Sequence, residues 1–279
     1  MLSGSCSRCQ GKGIVVDPMG STATATICQC SVRCDVCRGA RFIITRDAAR
    51  RDVAQRCECE NRRLRVRIYN EAQVPAKFHG ARLDETQRDA NNFDAFNIFT
   101  LLAKDYRRHD RGILLMGPPG VGKTHLVAGF LYEIVFRHGI PAQFQDVSGL
   151  LKRLRSGYAR DEPEELLIDP LINVEVLVVD ELAKGRNNAW ELNILDTIIS
   201  HRYNSRKTTI FTSNYTDQRA STLVERVRGK DRMDEERVFR DTLVERVGSR
   251  IYSRLKEMCD FVLLEGADRR EWNGEPVPQ

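Results

Sequence analysis

Residues 117–124 combine three glycines, a lysine and a threonine in the spacing of a loop that binds phosphate groups. Glycines allow the backbone N–H groups of such a loop to close around phosphates at the start of a helix. Lys123 is placed to reach the terminal phosphates, and the Thr124 hydroxyl can ligate Mg²⁺. The sequence therefore predicts a nucleotide site. Its expected contact residues are Gly117, Pro118, Pro119, Gly120, Val121, Gly122, Lys123, Thr124 and His125.

A pair of acidic residues follows a second apolar run. Residues 174–179 have the composition of a core strand, and Asp180 and Glu181 come directly after it. A carboxylate at the end of a strand beside the phosphate-loop strand can hold Mg²⁺, and a second carboxylate can polarise the attacking water. We expect Asp180 to ligate Mg²⁺ together with Thr124, and Glu181 to act as general base. An incidental acidic turn is the alternative.

Three further residues are candidates for sensing the nucleotide. A strand at 208–212 leads to Asn214, which is placed to contact the γ-phosphate unless it has only a turn role. Residues 244–258 form a helix with one apolar stripe, and arginines lie four residues apart along its flank. Such arginines can reach the nucleotide of the same or of a neighbouring subunit. We expect Arg250 to reach the nucleotide, with Arg254 as the second choice. The alternative is that each is an ordinary surface arginine.

Eight of the nine cysteines lie within the first 59 residues, in two copies of one pattern. Each copy has a pair spaced by two residues and a pair spaced by one, which together complete a tetrahedral zinc shell. The expected ligands of two zinc ions are Cys6, Cys9, Cys28, Cys30, Cys34, Cys37, Cys57 and Cys59. Sequential use of each copy is simplest, and interleaved pairing is possible. A disulfide framework is the alternative, and Cys259 is expected to be a buried apolar residue.

The elements that position these residues alternate between strand and helix. A strand at 111–116 precedes the phosphate-binding loop, a helix with apolar spacing follows it, and His138 and Gly139 close that helix. A strand at 142–147 leads to a helix that Ser148 can cap. This alternation predicts a parallel sheet flanked by helices. The Arg-rich stretch 45–70 is predicted to be a helical connector or a solvated linker.

Composition and charge limit the classes of protein to which the chain can belong. The chain has 279 residues, of which 41% are hydrophobic and 30% charged. It has neither an apolar run long enough to span a bilayer nor an apolar signal core, so we expect a cytoplasmic protein without a membrane partner. Residues 1–70 hold 13 Lys and Arg against 6 Asp and Glu, although zinc thiolates would offset much of that excess. Lys152, Arg153 and Arg155 form a second basic cluster, which is either a DNA contact or a solvated face.

Five motifs, in this order along the chain, resemble the AAA+ ATPases of the bacterial helicase-loader group (DnaC and DnaI) and the related transposition helper IstB. They are the segment 74–84, the loop 117–126, the strand end 178–182, the strand end 211–214 and the helix segment 245–255. The resemblance covers about residues 74–265. It implies ATP and Mg²⁺ as ligands, an AAA+ P-loop core without a separate lid domain, and ATP-dependent self-association on DNA.

The cysteine pattern, the arginine-rich stretch, the resemblance and the polar C-terminal composition together divide the chain into four parts. These are a zinc-binding domain at 1–60, a basic linker helix at 61–73, an AAA+ ATPase domain at 74–265 and a polar tail at 266–279 that we expect to fray. A cysteine-rich front end is most similar to the DnaI type of loader, although two cysteine quartets depart from that type.

Three functions are compatible with this layout. The first is a loader whose zinc domain docks on the hexameric replicative DNA helicase while its ATPase domain binds ATP and single-stranded DNA. The second is an IstB-like helper that binds DNA and recruits a transposase. The third is an adaptor in which the ATPase acts only as a nucleotide-controlled clamp.

Overall fold

The computed structural model describes residues 6–86, 88–89, 91–106, 111–217 and 241–270. Its centre is a five-stranded, wholly parallel sheet of β5 (Gly112–Met116), β6 (Ala142–Asp146), β7 (Val176–Asp180), β8 (Thr208–Ser213) and β9 (Cys259–Leu263). The strands lie in the order β6-β7-β8-β5-β9. The predicted α/β class is confirmed, whereas β9 had no counterpart in the sequence analysis.

Helices cover both faces of this sheet and create two hydrophobic cores. One face carries α1 (Glu58–Glu71), α2 (Phe93–Lys104) and α3 (Lys123–His138). The other carries α4 (Val147–Tyr158), α5 (Glu164–Asn173), α6 (Ala189–Asn204) and α7 (Leu243–Met258). All five residues of β5 and of β7 are buried, as expected for strands covered on both faces.

Two predicted helices differ locally from expectation. Ser148 does not cap α4. The cap is Asp146, whose carboxylate accepts a hydrogen bond from the Gly149 N–H at 2.9 Å, because β6 ends where the helix begins. The predicted helix at 244–258 is interrupted at Gly248, whose φ of 81° and ψ of 158° are not helical. Arg246 therefore lies on a different segment of α7 from Arg250 and Arg254.

Two antiparallel hairpins precede the sheet domain. The first pairs β1 (Ile14–Met19) with β2 (Thr22–Ile27), and the second pairs β3 (Phe42–Arg46) with β4 (Asp52–Arg56). The expected helical connector from residue 45 is therefore wrong up to Arg56, since helix α1 starts only at Glu58. Backbone pairing across this hairpin outweighed the arginine-rich composition that had favoured a helix.

The first hairpin is part of the larger fold. Ala23 and Ala25 of β2 are almost fully buried in the core that also contains α1 and α3. The Asn70 side chain of α1 accepts from the Ala25 N–H at 2.7 Å and donates to the Ala25 carbonyl at 3.1 Å. By contrast, every residue of β4 in the second hairpin is exposed. None of the described helices is both long and apolar enough to span a membrane.

Candidate functional site

The phosphate-binding loop connects β5 to α3. It needs glycine at two positions, because their φ values are positive and because a Cβ has no room there. Gly117 has a φ of 145°, and a Cβ there would lie 1.9 Å from the Leu264 carbonyl oxygen. Gly120 has a φ of 82°, and a Cβ there would lie 2.0 Å from the carboxyl carbon of Asp268. A side chain at Gly117 would collide with the backbone that follows β9, and one at Gly120 would have to displace the Asp268 side chain as well as adopt an unfavourable φ. His125 is exposed in the first turn of α3.

Lys123 is the first residue of α3 and is buried, with 6% of its surface exposed. Its ammonium donates to the carbonyl oxygens of Gly117 and Pro118, each at 2.7 Å. Burial lowers the pKa of Lys123 to about 8, although the carboxylates of Asp180 and Glu181 act in the opposite direction. Phosphate oxygens beside this ammonium would stabilise its charged form.

Asp180 ends β7 and lies at the centre of a set of oxygen atoms. Its Oδ1 accepts from the Thr124 hydroxyl at 2.9 Å and from the Thr212 hydroxyl at 2.6 Å. Burial raises the pKa of Asp180, while the two hydroxyl donors oppose that rise. A carboxylate and a threonine hydroxyl suit Mg²⁺, so the residues present fit the expected ion. Sequence reasoning missed Thr212, which comes from a distant strand.

The sequence analysis assumed that the strand carrying Asp180 lies beside the phosphate-loop strand, and this assumption is wrong. Strand β8 lies between β5 and β7. The Thr124 hydroxyl still meets Asp180 because all strand ends lie at the same edge of the sheet. The intervening strand supplies Thr212. Asn214 comes directly after its last residue, and a contact with the γ-phosphate stays a prediction.

Glu181 has a left-handed backbone conformation, with a φ of 59°. Its N–H donates to the Thr212 hydroxyl at 2.9 Å, which fixes the start of the loop after β7. Its Oε2 lies 2.6 Å from the Lys184 ammonium, and the two side chains are 33% and 55% exposed. The sequence analysis did not identify Lys184.

The two candidate finger arginines converge on a single acid of α6. The Arg254 guanidinium lies 2.5 Å from one carboxylate oxygen of Asp196, and Arg250 lies 3.2 Å from the other. The Arg250 side chain is 74% exposed and that of Arg254 is 24% exposed. Arg250 is therefore the more exposed of the two, and the finger role of either arginine stays a prediction.

The basic cluster on α4 is exposed and partly paired. Arg153 donates to the Gln145 side chain at 2.6 Å, and Arg155 donates to Glu191 at the same distance. No charged partner of Lys152 is found among the described residues. A DNA contact at this helix stays a prediction.

The first residues of the polar tail pack against the phosphate-binding loop instead of fraying. The Arg269 N–H donates to the Gly120 carbonyl at 3.0 Å, and its guanidinium pairs with Asp89. Arg270 pairs with Asp268 at 2.5 Å. Nothing in the local sequence indicated this contact, because it joins positions far apart in the chain. Residues 271–279 of the expected tail lie outside the described residues.

The cysteines form two groups of four, each within one sequence copy. The groups are Cys6, Cys9, Cys28 and Cys30, and Cys34, Cys37, Cys57 and Cys59. Their sulfur atoms approach to 3.4–3.8 Å across each group. Four sulfurs about 2.3 Å from a central zinc would be separated by about 3.8 Å. The donor set therefore fits zinc, and the sequential pairing is the one that the fold produces.

The turn that joins the first two cysteines of each group lowers the pKa of the first thiol, whereas Cys28 and Cys59 in the other pairs have raised pKa values. A backbone N–H of Cys9 lowers the pKa of Cys6, and that of Cys37 lowers the pKa of Cys34. Thiolates are the form that binds zinc. Cys259 is 2% exposed, as expected of a buried apolar residue, and burial raises its thiol pKa.

Comparisons with known proteins identify the family of the chain. The family model described as IstB-like ATP binding protein matches residues 50–226. The uncharacterized protein YqaM of Bacillus subtilis is 22% identical over 234 residues, covering 79% of this chain and 66% of YqaM. The replicative helicase loader DnaC of Escherichia coli is 28% identical over 122 residues, covering 43% of this chain and 49% of DnaC. The chain thus spans about half to two thirds of these relatives' lengths.

Solved structures show the same fold. The crystal structure of the DnaC helicase loader has a TM-score of 0.56 and 28% identity, covering 67% of this chain and 98% of that one. The crystal structure of DnaI has a TM-score of 0.53 and 21% identity, covering 71% and 94%. With a family match over more than half of its length, the chain belongs to the IstB-like ATP-binding protein family and has an AAA+ fold.

Proposed function

We propose that this protein is an ATP-dependent loader of a replicative DNA helicase. The observation that carries the proposal is a phosphate-binding loop beside an acidic strand end, built on a core like that of the DnaC helicase loader and joined to two four-cysteine units. In this proposal the ATPase domain binds ATP and single-stranded DNA, and the cysteine-rich units dock on the helicase.

The chemistry of the site is hydrolysis of the terminal phosphate. Lys123 neutralises the phosphate charge, and Thr124 and Asp180 would hold Mg²⁺, which supplies further charge neutralisation when bound. Glu181 accepts a proton from the attacking water as the water oxygen bonds to the γ-phosphorus. The bond from that phosphorus to the ADP oxygen breaks, and ADP leaves with the electron pair. Asn214 is suited to hold the γ-phosphate.

The Glu181→Gln variant should bind ATP with nearly wild-type affinity and hydrolyse it at least about 100-fold more slowly, because an amide cannot accept the proton. Equilibrium binding and phosphate release measure the two effects separately. Lys123→Ala serves as the contrasting variant, since it should lose binding as well. Normal turnover by Glu181→Gln would exclude Glu181 as the base.

The second cysteine unit is the better candidate for helicase docking. Its apolar side chains Phe42 and Ile44 share one face of the hairpin and are 49% and 69% exposed, and Val36 and Val53, elsewhere in the unit, are 72% and 43% exposed. Apolar side chains exposed together on a small unit are typical of a protein interface. The first unit, in contrast, buries its hairpin against the ATPase core.

The docking experiment uses the ATP-trapped Glu181→Gln chain as bait for proteins of its own cell, with mass spectrometry as the readout. The replicative helicase should be captured, and adding Phe42→Asp and Ile44→Asp should abolish its capture. Leu166→Asp is the matched control, because Leu166 is an apolar residue of α5 that is 70% exposed. Absence of the helicase from every capture would contradict the loader function.

An IstB-like transposition helper is the second candidate, and the description of the matching family favours it. Capture of a transposase by the same bait, with the helicase absent, would select this function. The nucleotide chemistry would be unchanged, and the cysteine-rich units would then contact the transposase or the target DNA.

Self-association with ATP and contact with single-stranded DNA complete the proposal. Arg250 is exposed enough to contact the nucleotide of a second copy, with Arg254 behind it. Lys152, Arg153 and Arg155 offer the exposed charge that a phosphate backbone needs. Unchanged affinity for single-stranded DNA after replacing all three with alanine would remove this helix from the DNA site.

A further inference from the structure

We infer that the surface that holds residues 242–247 is a peptide-binding site with a second ligand in the same chain, residues 222–227. The inference goes beyond the proposed function and depends neither on ATP hydrolysis nor on a partner protein. We name this surface the anchor site. It consists of the adjoining part of the second hydrophobic core together with Ala183, Gly185, Tyr215 and Thr216.

The sequence contains the same six residues twice. Residues 222–227 and residues 242–247 both read Thr-Leu-Val-Glu-Arg-Val. At average composition, an identical run of six is expected by chance in about one of several hundred chains of this length. The first copy lies outside the described residues, and its sequence alone identifies it. The second copy is described, and its contacts show what such a segment needs from the anchor site.

The described copy is held by two buried apolar side chains and by its own cap. Leu243 and Val247 are 0% and 2% exposed and belong to the second hydrophobic core. The Leu243 N–H donates to the Thr216 carbonyl oxygen at 2.9 Å. The Thr242 N–H donates to the Glu245 carboxylate at 2.8 Å, and the Glu245 N–H donates to the Thr242 hydroxyl at 3.3 Å. The first copy has the same residue type at each of these positions of the repeat.

Arg246 makes the polar contacts of the described copy with the anchor site. It donates to the carbonyl oxygens of Ala183 and Gly185 at 3.1 and 2.7 Å. Its guanidinium also lies over the Tyr215 ring, 5.0 Å from the centre. Arginine stands at the equivalent position of the first copy. Arg246 has one further contact that the first copy lacks, a 3.7 Å ion pair with Asp241, because serine takes the place of that acid in the first copy.

The break in α7 makes the described copy separable from the rest of its helix. Gly248 has a φ of 81° and a ψ of 158°, so helical hydrogen bonding does not continue smoothly from residues 242–247 into the remainder of α7. That remainder has its own buried residues, since Ile251 and Leu255 are 3% and 0% exposed. The described copy can therefore leave the anchor site while the following turns stay packed in the second core.

The length of the chain allows the two copies to exchange. Only five residues separate Thr216, at the edge of the anchor site, from the first copy. When residues 222–227 fill the site, residues 228–248 connect it to the remainder of α7. The described arrangement closes one loop, of residues 217–241, whereas the exchanged arrangement closes two. Loop closure costs conformational entropy that grows slowly with length, so the exchanged arrangement is the minor of two states.

The first test measures melting temperatures of full-length variants. Leu243→Asp removes the described copy from the core, and it should lower the melting temperature by less than about 3 °C because residues 222–227 replace it. Adding Leu223→Asp leaves no copy that fits, so the double variant should lose at least about 8 °C. Leu255→Asp is the matched control, since this leucine is equally buried in α7 but has no duplicate. A loss in Leu243→Asp as large as in the double variant would overturn the inference.

The second test follows the exchange in the folded protein. Val247→Cys places a thiol at a buried position of the described copy, and a thiol-directed dye reaches it when that copy leaves the anchor site. The labelling rate is corrected for the same protein without Val247→Cys. Adding Leu223→Asp should slow labelling at least about threefold because the competing copy is removed, and adding Leu243→Asp should accelerate it at least about tenfold. Leu166→Asp, at an exposed leucine, should leave the rate unchanged. Unchanged or faster labelling with Leu223→Asp would overturn the inference, since that substitution would then not remove a competitor.

Discussion

At the scale of single residues, the buried lysine of the phosphate-binding loop makes nucleotide binding depend on pH. Burial lowers the pKa of Lys123 to about 8, so in the free protein its ammonium is lost as the pH rises through that value. Bound phosphates stabilise the ammonium and raise its pKa again. Above about pH 8, binding must therefore take up a proton and becomes weaker as the pH rises.

We expect the affinity for ATP to fall about tenfold between pH 7 and pH 9, as a group with a pKa of about 8 requires. Isothermal titration calorimetry in buffers of different ionisation enthalpy would measure both the affinity and the proton uptake. Any affinity for ATP that the Lys123→Arg variant retains should change much less between pH 7 and pH 9, because a guanidinium stays protonated. Equal affinity and no proton uptake at both pH values would contradict this account.

Residues of the site differ in how far the sequence could identify them. Lys123 and Thr124 lie in one contiguous motif, and Asp180 ends an apolar run, so local spacing was enough. Thr212 reaches the site only because of the strand order, and Asp268 only because the chain returns to the phosphate-binding loop after β9. Their contacts span large separations along the chain, which local patterns do not encode.

At the scale of elements, Arg202 of α6 connects three parts of the second core. It is 0% exposed, and burial lowers its pKa to about 10. Its guanidinium donates to the carbonyl oxygens of Leu171 and Val174 at 2.8 and 2.9 Å and to that of Thr208 at 2.6 Å. One side chain thus donates hydrogen bonds to the carbonyl groups at the end of α5 and at the start of β8.

Arg202→Met should lower the free energy of unfolding by about 3–5 kcal/mol, because several buried carbonyl groups lose their donor. Urea unfolding followed by circular dichroism measures this loss. Arg137→Met on α3 is the control, since its exposed pair with Glu133 at 3.3 Å should contribute less than about 1 kcal/mol. A similar small effect in both variants would show that the carbonyl groups find other partners.

The succession of elements was more predictable than their boundaries or neighbours. Apolar runs identified β5, β7 and β8, and the loop motif located the start of α3. The sequence analysis did not foresee β9, and it placed β7 beside β5. Strand order depends on packing between distant segments, and the break at Gly248 occurs within an otherwise regular apolar stripe.

At the scale of the whole molecule, the two cysteine units should differ in their effect on stability. The first unit buries Ala23 and Ala25 in the core shared with the ATPase domain, whereas the hairpin of the second is exposed. We expect Cys9→Ser to lower the melting temperature by at least about 5 °C and Cys37→Ser to lower it by less than about 2 °C.

Metal analysis accompanies this comparison. The wild type should contain two zinc ions per chain, one for each group of cysteines. Each serine variant should retain one. A wild type with one zinc, or none in the folded reduced protein, would contradict the assignment of both groups. Equal melting temperatures for the two variants would show that the first unit does not support the ATPase core.

The placement of the cysteines also has a practical consequence. Cys259 is buried with a raised thiol pKa, and the other eight cysteines would be covered by metal. The zinc-loaded protein should therefore react with no thiol-directed dye. One cysteine introduced at Arg270, beside the phosphate-binding loop, could then be labelled alone. Its fluorescence would report nucleotide arrival in real time, and loss of zinc would appear as new reactive thiols.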